Sequence, residues 1–177
     1  APCATILDEA KARLGADLAR QLAAQQHVPP RPLVLPRLGP GEACPVSPHI
    51  DTPDYELLAD GPVRLTTIGG WIDIALSPRD ARGYFAAKAA WGIAQSDRGP
   101  IVISGRRLDR PGPVLFWNNF GDHTRAARWA DDDRPANPGQ GFYWLPAAVY
   151  VKHVGCYGFQ IDGTTFSAHV VVRVVRH

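Results

Sequence analysis

The chain has 177 residues and a formal net charge of +2, and 45% of its residues are hydrophobic. This length suits one domain with a core of its own. The basic residues are scattered, which argues against a nucleic-acid surface, and no apolar stretch approaches the roughly 20 residues of a membrane span. The 17 glycines and 17 prolines indicate frequent turns, as an all-β domain needs.

The N-terminal segment predicts one amphipathic helix, from Thr5 to about Gln26, and we assign residues 1–27 to it. Apolar residues recur at three- to four-residue spacing, at Ile6, Ala10, Leu14, Leu18 and Leu22. A Thr cap and the acidic residues that follow it suit the positive end of the helix dipole. The apolar stripe is expected to pack against the helix's own domain or against a partner chain.

Residues 28–54 predict a Pro-rich connector between the helix and the rest of the chain. Its many prolines exclude regular helix and make a central strand improbable. Leu33-Val34-Leu35 is compatible with a short edge strand. The connector leads to a β domain that we assign to residues 55–177.

The β domain is mainly β by its pattern of short alternating segments and turn signals, which favours a β-sandwich. Predicted strands are Val63–Ile68, Trp71–Leu76, Ile101–Ser104, Val114–Trp117, Phe142–Leu145, Val149–His153, Tyr157–Ile161 and Ser167–Val175. Between Arg79 and Trp91 an alanine-rich stretch predicts a short helix or helical turn.

The strongest strand signal is the segment from Cys156 to Val175. Large and small residues alternate in it, and Asp162-Gly163 supplies a tight turn. Strands this apolar must be covered, so we expect this hairpin to be central in a sheet that packs on another layer.

The cysteines suggest export. The chain begins Ala1-Pro2-Cys3 and contains no Met, as expected of a mature protein after signal-peptide removal, which would be extracellular or held in the cell envelope. Cys3 and Cys44 lie in polar or Pro-rich surroundings and are predicted to form a disulfide, whereas Cys156, inside an apolar strand, is predicted to be a buried free thiol. Two unpaired thiols or an intermolecular bond are the alternatives.

The segment from Asn118 to Gly141 predicts a long irregular loop, and long loops on rigid sheets commonly bind partners. We predict a protein interface that consists of Phe120, Arg125, Arg128, Trp129 and Tyr143, since Trp and Arg are enriched at interface hot spots. The alternative is that Trp129 folds back and fills one end of the core.

No catalytic constellation is recognised, and we expect neither a cofactor nor enzymatic activity. Ser167 and His169 share one strand face, which does not suit a triad, and the six histidines lack metal-ligand spacing. A metal site assembled from distant loops stays an alternative.

Short motifs of this chain resemble a group of uncharacterised secreted bacterial proteins. The similarity lies in Cys44-Pro45-Val46, in Gly105-Arg106-Arg107-Leu108-Asp109 and in the run from Gly155 to Gly163 with Phe166-Ser167, in the same order. It covers about Cys44 to Val175, and it implies export and an immunoglobulin-like β-sandwich, here with one N-terminal helix and a Pro-rich connector. It carries over no activity and no functional residue.

The expected function is a non-catalytic exported module that acts through protein–protein contacts, as a structural or accessory subunit of a cell-envelope or extracellular assembly. One alternative is a ligand- or carbohydrate-binding module that uses Trp91, Trp117, Trp129 and Trp144 as stacking platforms. A second is an enzyme whose site is assembled from loops. The oligomeric state does not follow from the sequence.

Overall fold

The computed structural model describes residues 12–16, 31–51, 56–117, 123–131 and 141–177. Within these ranges only residues 12–16 are α-helical, and they are exposed. The other positions of the predicted N-terminal helix lie outside the described residues. Among the described residues, no helix has the length and apolarity that crossing a bilayer requires.

Twelve strands form the body of the described structure. In chain order they are β1 (His49–Asp51), β2 (Glu56–Asp60), β3 (Val63–Thr67), β4 (Trp71–Asp73), β5 (Phe85–Ala94), β6 (Ile101–Arg107), β7 (Leu115–Trp117), β8 (His123–Thr124), β9 (Ala126–Trp129), β10 (Phe142–Val151), β11 (Gly155–Asp162) and β12 (Ser167–Val175).

These strands build two sheets. The seven-stranded sheet has the order β1-β2-β3-β5-β10-β7-β8, and the five-stranded sheet has the order β4-β12-β11-β6-β9. All neighbours are antiparallel except β4 and β12, which run parallel.

The two sheets pack face to face around one core. Inward side chains alternate along β5 and β10, which pair over ten residues. Trp91 and Phe116 from the seven-stranded sheet meet Phe159 from the other sheet, with ring centroids 5.2 and 6.2 Å apart in edge-to-face contacts. This arrangement confirms a mainly β fold of the β-sandwich type.

The hairpin of β11 and β12 is central, as the sequence predicts. β11 lies between β12 and β6, and its residues from Cys156 to Asp162 are all buried. One face of β11 packs on the core, so its other face must be covered by something else.

That second cover is the connector, whose residues 31–48 we call the strap. The side-chain amide of Gln160 accepts a hydrogen bond from the Val34 N–H at 2.7 Å and donates one to the Pro32 carbonyl at 3.1 Å. Leu35 is buried in a small cluster with Leu108, Cys156 and Val171, and Leu38 packs against it. The predicted edge strand at residues 33–35 is therefore wrong, because a side chain, and not a neighbouring strand, satisfies the backbone there.

The disulfide prediction is also wrong. Cys44 of the strap is bonded to Cys156 of β11, with an S–S distance of 2.00 Å and a Cα–Cα distance of 5.5 Å. Cys156 is indeed buried, but its side chain points to the outer face of the sheet, where the strap passes. Cys3, the predicted partner of Cys44, lies outside the described residues.

The alanine-rich stretch before Trp91 belongs to a strand and not to the predicted helix. Alanine favours helix locally, but Phe85, Ala87, Ala89 and Trp91 alternate into the core while β10 supplies the hydrogen bonds. Pairing with a neighbouring strand overrides the local preference.

The segment 118–141 is not wholly irregular, contrary to prediction. Two of its strands, β8 and β9, pair with β7 and β6, and each is an edge strand of its own sheet. Similarly, Phe142–Val151 is one strand and not two. It tolerates Pro146 because the pairing of β10 with β7 is confined to Val149 and Tyr150.

Candidate functional site

A cleft of about 890 Å³ lies between the strap and the connection from β6 to β7. We call it the arginine cleft because its lining contains six arginines: Arg31, Arg37, Arg106, Arg107, Arg110 and Arg125. Among the described residues, Asp109 is the one carboxylate in the lining. Nearly a third of the chain's 19 Lys and Arg residues therefore meet at one place, although the whole chain carries only +2.

The far wall of the cleft is anchored to β11. Gly105 of β6 lies so close to Phe159 that a Cβ there would come within 2.8 Å of the ring. Beyond β6, the Leu108 N–H donates to the Cys156 carbonyl at 2.8 Å, and the Leu108 carbonyl accepts from the Leu38 N–H at 3.4 Å. Leu108 thus connects the wall to both the sheet and the strap.

Two of the arginines hold the strap in place. Arg106 donates from Nη2 to the Leu35 carbonyl at 2.6 Å, and its buried Nε has no partner among the described residues. Arg31 donates from Nη1 to the Phe166 carbonyl at 2.5 Å and lies 3.6 Å from the Asp162 carboxylate. These side chains have a structural task at the edges of the cleft.

Arg107 is neutralised within the wall. Its Nε and Nη2 donate to the two carboxylate oxygens of Asp109, at 2.8 and 2.9 Å. These hydrogen bonds hold the pKa of Asp109 below its ordinary value and raise the pKa of Arg107, while partial burial opposes both shifts. Asp109 also accepts the Cys156 N–H at 3.3 Å, so this carboxylate links the wall to the disulfide strand.

The remaining three arginines have no counter-charge within the part of the chain that the structure describes. Arg37, Arg110 and Arg125 are exposed, and none forms a hydrogen bond or an ion pair with another described residue. They come from the strap, from the β6–β7 connection and from the residue before β9. Guanidinium groups converging from separate elements suit an anion with several oxygens, because each group presents a planar fork of donors.

Among the described residues of the predicted interface, the two aromatic side chains take inward positions and the two arginines are exposed. Trp129 is partly buried and packs against the core, while Tyr143 is only 6% exposed, on an inward position of β10. Arg128 is exposed on β9, and Arg125 lines the arginine cleft. Phe120 lies outside the described residues.

Sequence reasoning missed the cleft because its arginines come from separated segments. The signal that could have found it is the cluster Arg106-Arg107 with Arg110, three cations within five positions at the end of β6. Arg31 and Arg37 join them only because the strap folds back across the five-stranded sheet.

One described cluster has the side chains of a metal site. Ligand atoms of His49, Asp51 and Glu56 lie within 4.8 Å of one another on β1 and β2. The side chains are well exposed, at 38%, 84% and 38%, and the histidine already lies 3.3 Å from Asp51 and 3.7 Å from Glu56. These residues could hold a cation, but the cluster needs no ion to account for its geometry.

The Ser167 and His169 pair has no triad geometry. Ser167 donates its hydroxyl to Asp162 at 2.6 Å, and the buried Nε2 of His169 has no partner among the described residues. A serine nucleophile would need to donate to a histidine instead.

No family model and no curated protein matches the chain. Among solved structures, the chain is similar to one titled "X-ray Crystal Structure of a Putative Lipoprotein from Bacillus anthracis". The two share 12% sequence identity over 76% of this chain and 88% of that chain, with a TM-score of 0.47.

Proposed function

We propose that this protein is an exported, non-catalytic module that binds an acidic partner protein through the arginine cleft. The observation that carries the proposal is the convergence of Arg37, Arg110 and Arg125, which have no counter-charge among the described residues. Unpaired cations in a concave site attract an anion strongly, because the walls of the site focus the field.

The rigidity of the cleft supports a binding role. The strap is fixed to the sheet by the Cys44–Cys156 bond and by the hydrogen bonds of Gln160 and Arg106. A preformed site loses little conformational entropy when a partner binds, so more of the contact energy appears as affinity.

The disulfide supports export. Intramolecular disulfides form and persist in oxidising compartments and are rare in reducing ones. An extracellular or cell-envelope location therefore accompanies the proposal. Membership in the group of secreted bacterial proteins stays a prediction. The immunoglobulin-like fold does too, since immunoglobulin domains have seven or nine strands, whereas the described residues of this sandwich form one sheet of seven strands and one of five.

An acidic protein segment is favoured over nucleic acid. Among the described residues, three exposed arginines without a counter-charge line one cleft, and the chain as a whole is nearly neutral. Nucleic acids are bound through extended basic surfaces with interleaved aromatics, which this chain lacks. Side-chain carboxylates along an acidic segment match several guanidinium forks in one confined site.

The test compares two charge-matched variants for binding of a fluorescein-labelled oligo-glutamate peptide at physiological ionic strength. The first carries Arg110→Gln and Arg125→Gln in the cleft. The second carries Arg173→Gln and Arg176→Gln, which remove two exposed charges elsewhere. We expect the cleft variant to bind roughly tenfold more weakly than the unmodified protein, and the control to bind as the unmodified protein does.

Equal weakening in both variants would show a general charge effect and would overturn the proposal. Unchanged affinity of the cleft variant would do the same. Preference for an oligonucleotide of equal charge over the peptide would replace the acidic protein by nucleic acid as the partner.

A further inference from the structure

A separate pocket of about 460 Å³ opens at the edge of the sandwich where β3, β4 and β5 meet. Two partly buried tryptophans, Trp71 and Trp144, belong to its lining, and we call it the tryptophan pocket. Its size falls within the usual range for small-molecule sites. It shares no lining residue with the arginine cleft.

The pocket lies where β3 ends beside β5 and the chain crosses to β4, an edge strand of the other sheet. β3 pairs with β5 only between Val63 and Leu65, and residues 78–79 bridge to the start of β5, so the stretch around Lys88 between them has no strand beside it on that side. Gly69 and Gly70, with φ of 66° and 75°, then turn the chain sharply across to β4 in the other sheet. This tight turn requires positive φ values, which only glycine adopts readily. Because the chain crosses to the other sheet here, a gap remains between β5 and β4.

Both indoles are held in place before any ligand arrives. Trp144 lies across Gly92, where a Cβ would come within 2.9 Å of the ring. Trp71 packs over Gly69 and contacts the His177 ring, with centroids 5.3 Å apart. Neither ring needs to be ordered by the ligand, so stacking on them costs little entropy.

Hydrogen-bonding groups without partners accompany the indoles. Ala90 of β5 exchanges two hydrogen bonds with the Thr66 hydroxyl, at 3.1 and 3.2 Å, which shows that even-numbered peptide groups of β5 point away from β10. The peptide group of Lys88 therefore faces the open side, and neither it nor the ammonium group has a partner among the described residues.

The facing strand repeats this feature. Ile74 donates its N–H to Val175 of β12, so the alternation along β4 turns the peptide group of Asp73 away from β12. One carboxylate oxygen of Asp73 accepts the Ala75 N–H at 2.8 Å, and the other has no bond to a described residue. Among the described residues, the pocket thus offers donors and acceptors without partners on opposite strands.

We infer that the tryptophan pocket binds a sugar residue of a glycan. A pyranose ring has an apolar face of C–H groups that packs on an indole, and a rim of hydroxyls that both donate and accept hydrogen bonds. A purely apolar ligand would leave Lys88 and Asp73 desolvated without partners, at a free-energy cost. An extended peptide would find only one free peptide group on each strand, too few for strand addition.

The experiment titrates the full chain with a panel of soluble tetrasaccharides: cellotetraose, its N-acetylglucosamine counterpart and maltotetraose. Binding is followed by calorimetry and by saturation-transfer NMR, which reports the sugar protons nearest the protein. We expect saturable binding of at least one member, weakened roughly tenfold by Trp144→Ala and severalfold by Lys88→Ala. Lys88 is exposed, so its replacement should leave the fold intact.

Trp117→Ala is the matched control. Trp117 is 46% exposed on β7 and does not line the pocket, so its loss should not change sugar binding. Failure of every tetrasaccharide to saturate at millimolar concentration would overturn the inference. Sugar binding that is unchanged in both Trp144→Ala and Lys88→Ala would also overturn it. The same holds if the fluorescent apolar probe anilinonaphthalene sulfonate occupies the pocket and no sugar displaces it.

Discussion

Arg107 and Asp109 are paired through two parallel hydrogen bonds, and the same carboxylate accepts the N–H of Cys156. One side chain thus joins the wall of the arginine cleft to the strand that carries the disulfide. The pair also leaves Arg107 neutralised, so that the free charge of the cleft comes from the other arginines.

Replacing Asp109 by Asn should lower the free energy of unfolding at neutral pH by about 1–2 kcal/mol, because it removes a two-bond ion pair at a partly exposed site. The pKa of Asp109 is lowered in the folded protein from its ordinary 3.8. As the pH falls, the unfolded chain therefore takes up the proton first, and the stabilisation is lost from about pH 4 downward. Chemical denaturation across that range should show the difference between the two proteins shrinking as the pH falls. A difference that stays constant down to about pH 2 would contradict this account.

Removing the Cys44–Cys156 bond should destabilise the fold strongly. The bond closes a loop with a sequence separation of 112, which corresponds to about 4–5 kcal/mol on the chain-entropy model. Thermal unfolding of Cys44→Ser measures the loss, and Cys3→Ser is the control that should leave the bond intact. Peptide mapping without reduction should recover Cys44 linked to Cys156, and a peptide that links Cys3 to Cys44 would contradict the structure.

The phenol of Tyr157 should ionise above the ordinary pH range of a tyrosine. Burial raises its pKa to about 12, and its hydroxyl donates to the His153 carbonyl at 2.7 Å. Since the unfolded chain loses this proton near pH 10, stability should fall as the pH rises from about 10 to 12. Absorbance titration should show a late tyrosinate component that Tyr157→Phe abolishes. Titration of all tyrosines together in the folded protein would refute it.

Trp129→Ala tests the predicted interface against packing. Trp129 packs against the core and pairs with Ile101 across β9 and β6, so its truncation should lower the melting temperature. The loss in the free energy of unfolding should approach the value for truncating a buried aromatic residue, about 3–5 kcal/mol. Arg128→Ala, its exposed neighbour, should change stability by less than about 0.5 kcal/mol. If Trp129→Ala left the melting temperature unchanged, the packing role would be contradicted and the predicted interface role of Trp129 would be favoured.

The sequence predicted the elements whose signals are local. The alternation from Cys156 to Val175 and the turn at Asp162-Gly163 indicate the central hairpin. Every second residue of a strand faces the same side, so the inward residues can be read from each strand's own sequence. Two-layer packing follows from the same pattern, since so apolar a hairpin must be covered.

Features that depend on distant segments were not predictable. Whether Cys156 faces the core or the strap depends on strand register, and one step in register reverses the answer. The cleft arginines likewise meet only because Gln160 and Arg106 hold the strap across the sheet. The alanines before Trp91 favour a helix by local preference, and only their pairing with the distant strand β10 makes this segment a strand.

Gly105→Ala should destabilise the wall of the arginine cleft without touching any charge. A Cβ at Gly105 would lie 2.8 Å from a Phe159 ring carbon and 2.9 Å from the Gly158 carbonyl oxygen. Neither atom is the end of a flexible side chain, so β6 must move away from β11, at a cost of about 1–3 kcal/mol.

Gly15→Ala is the matched control, because nothing lies within 4 Å of a Cβ there and its helical position favours alanine. Denaturation of both variants gives the comparison, and equal stability of the two would show that β6 and β11 are less closely packed than their register implies. Because the connection that carries Arg110 follows β6 directly, the Gly105 variant should also bind the acidic peptide more weakly at a temperature where it remains folded.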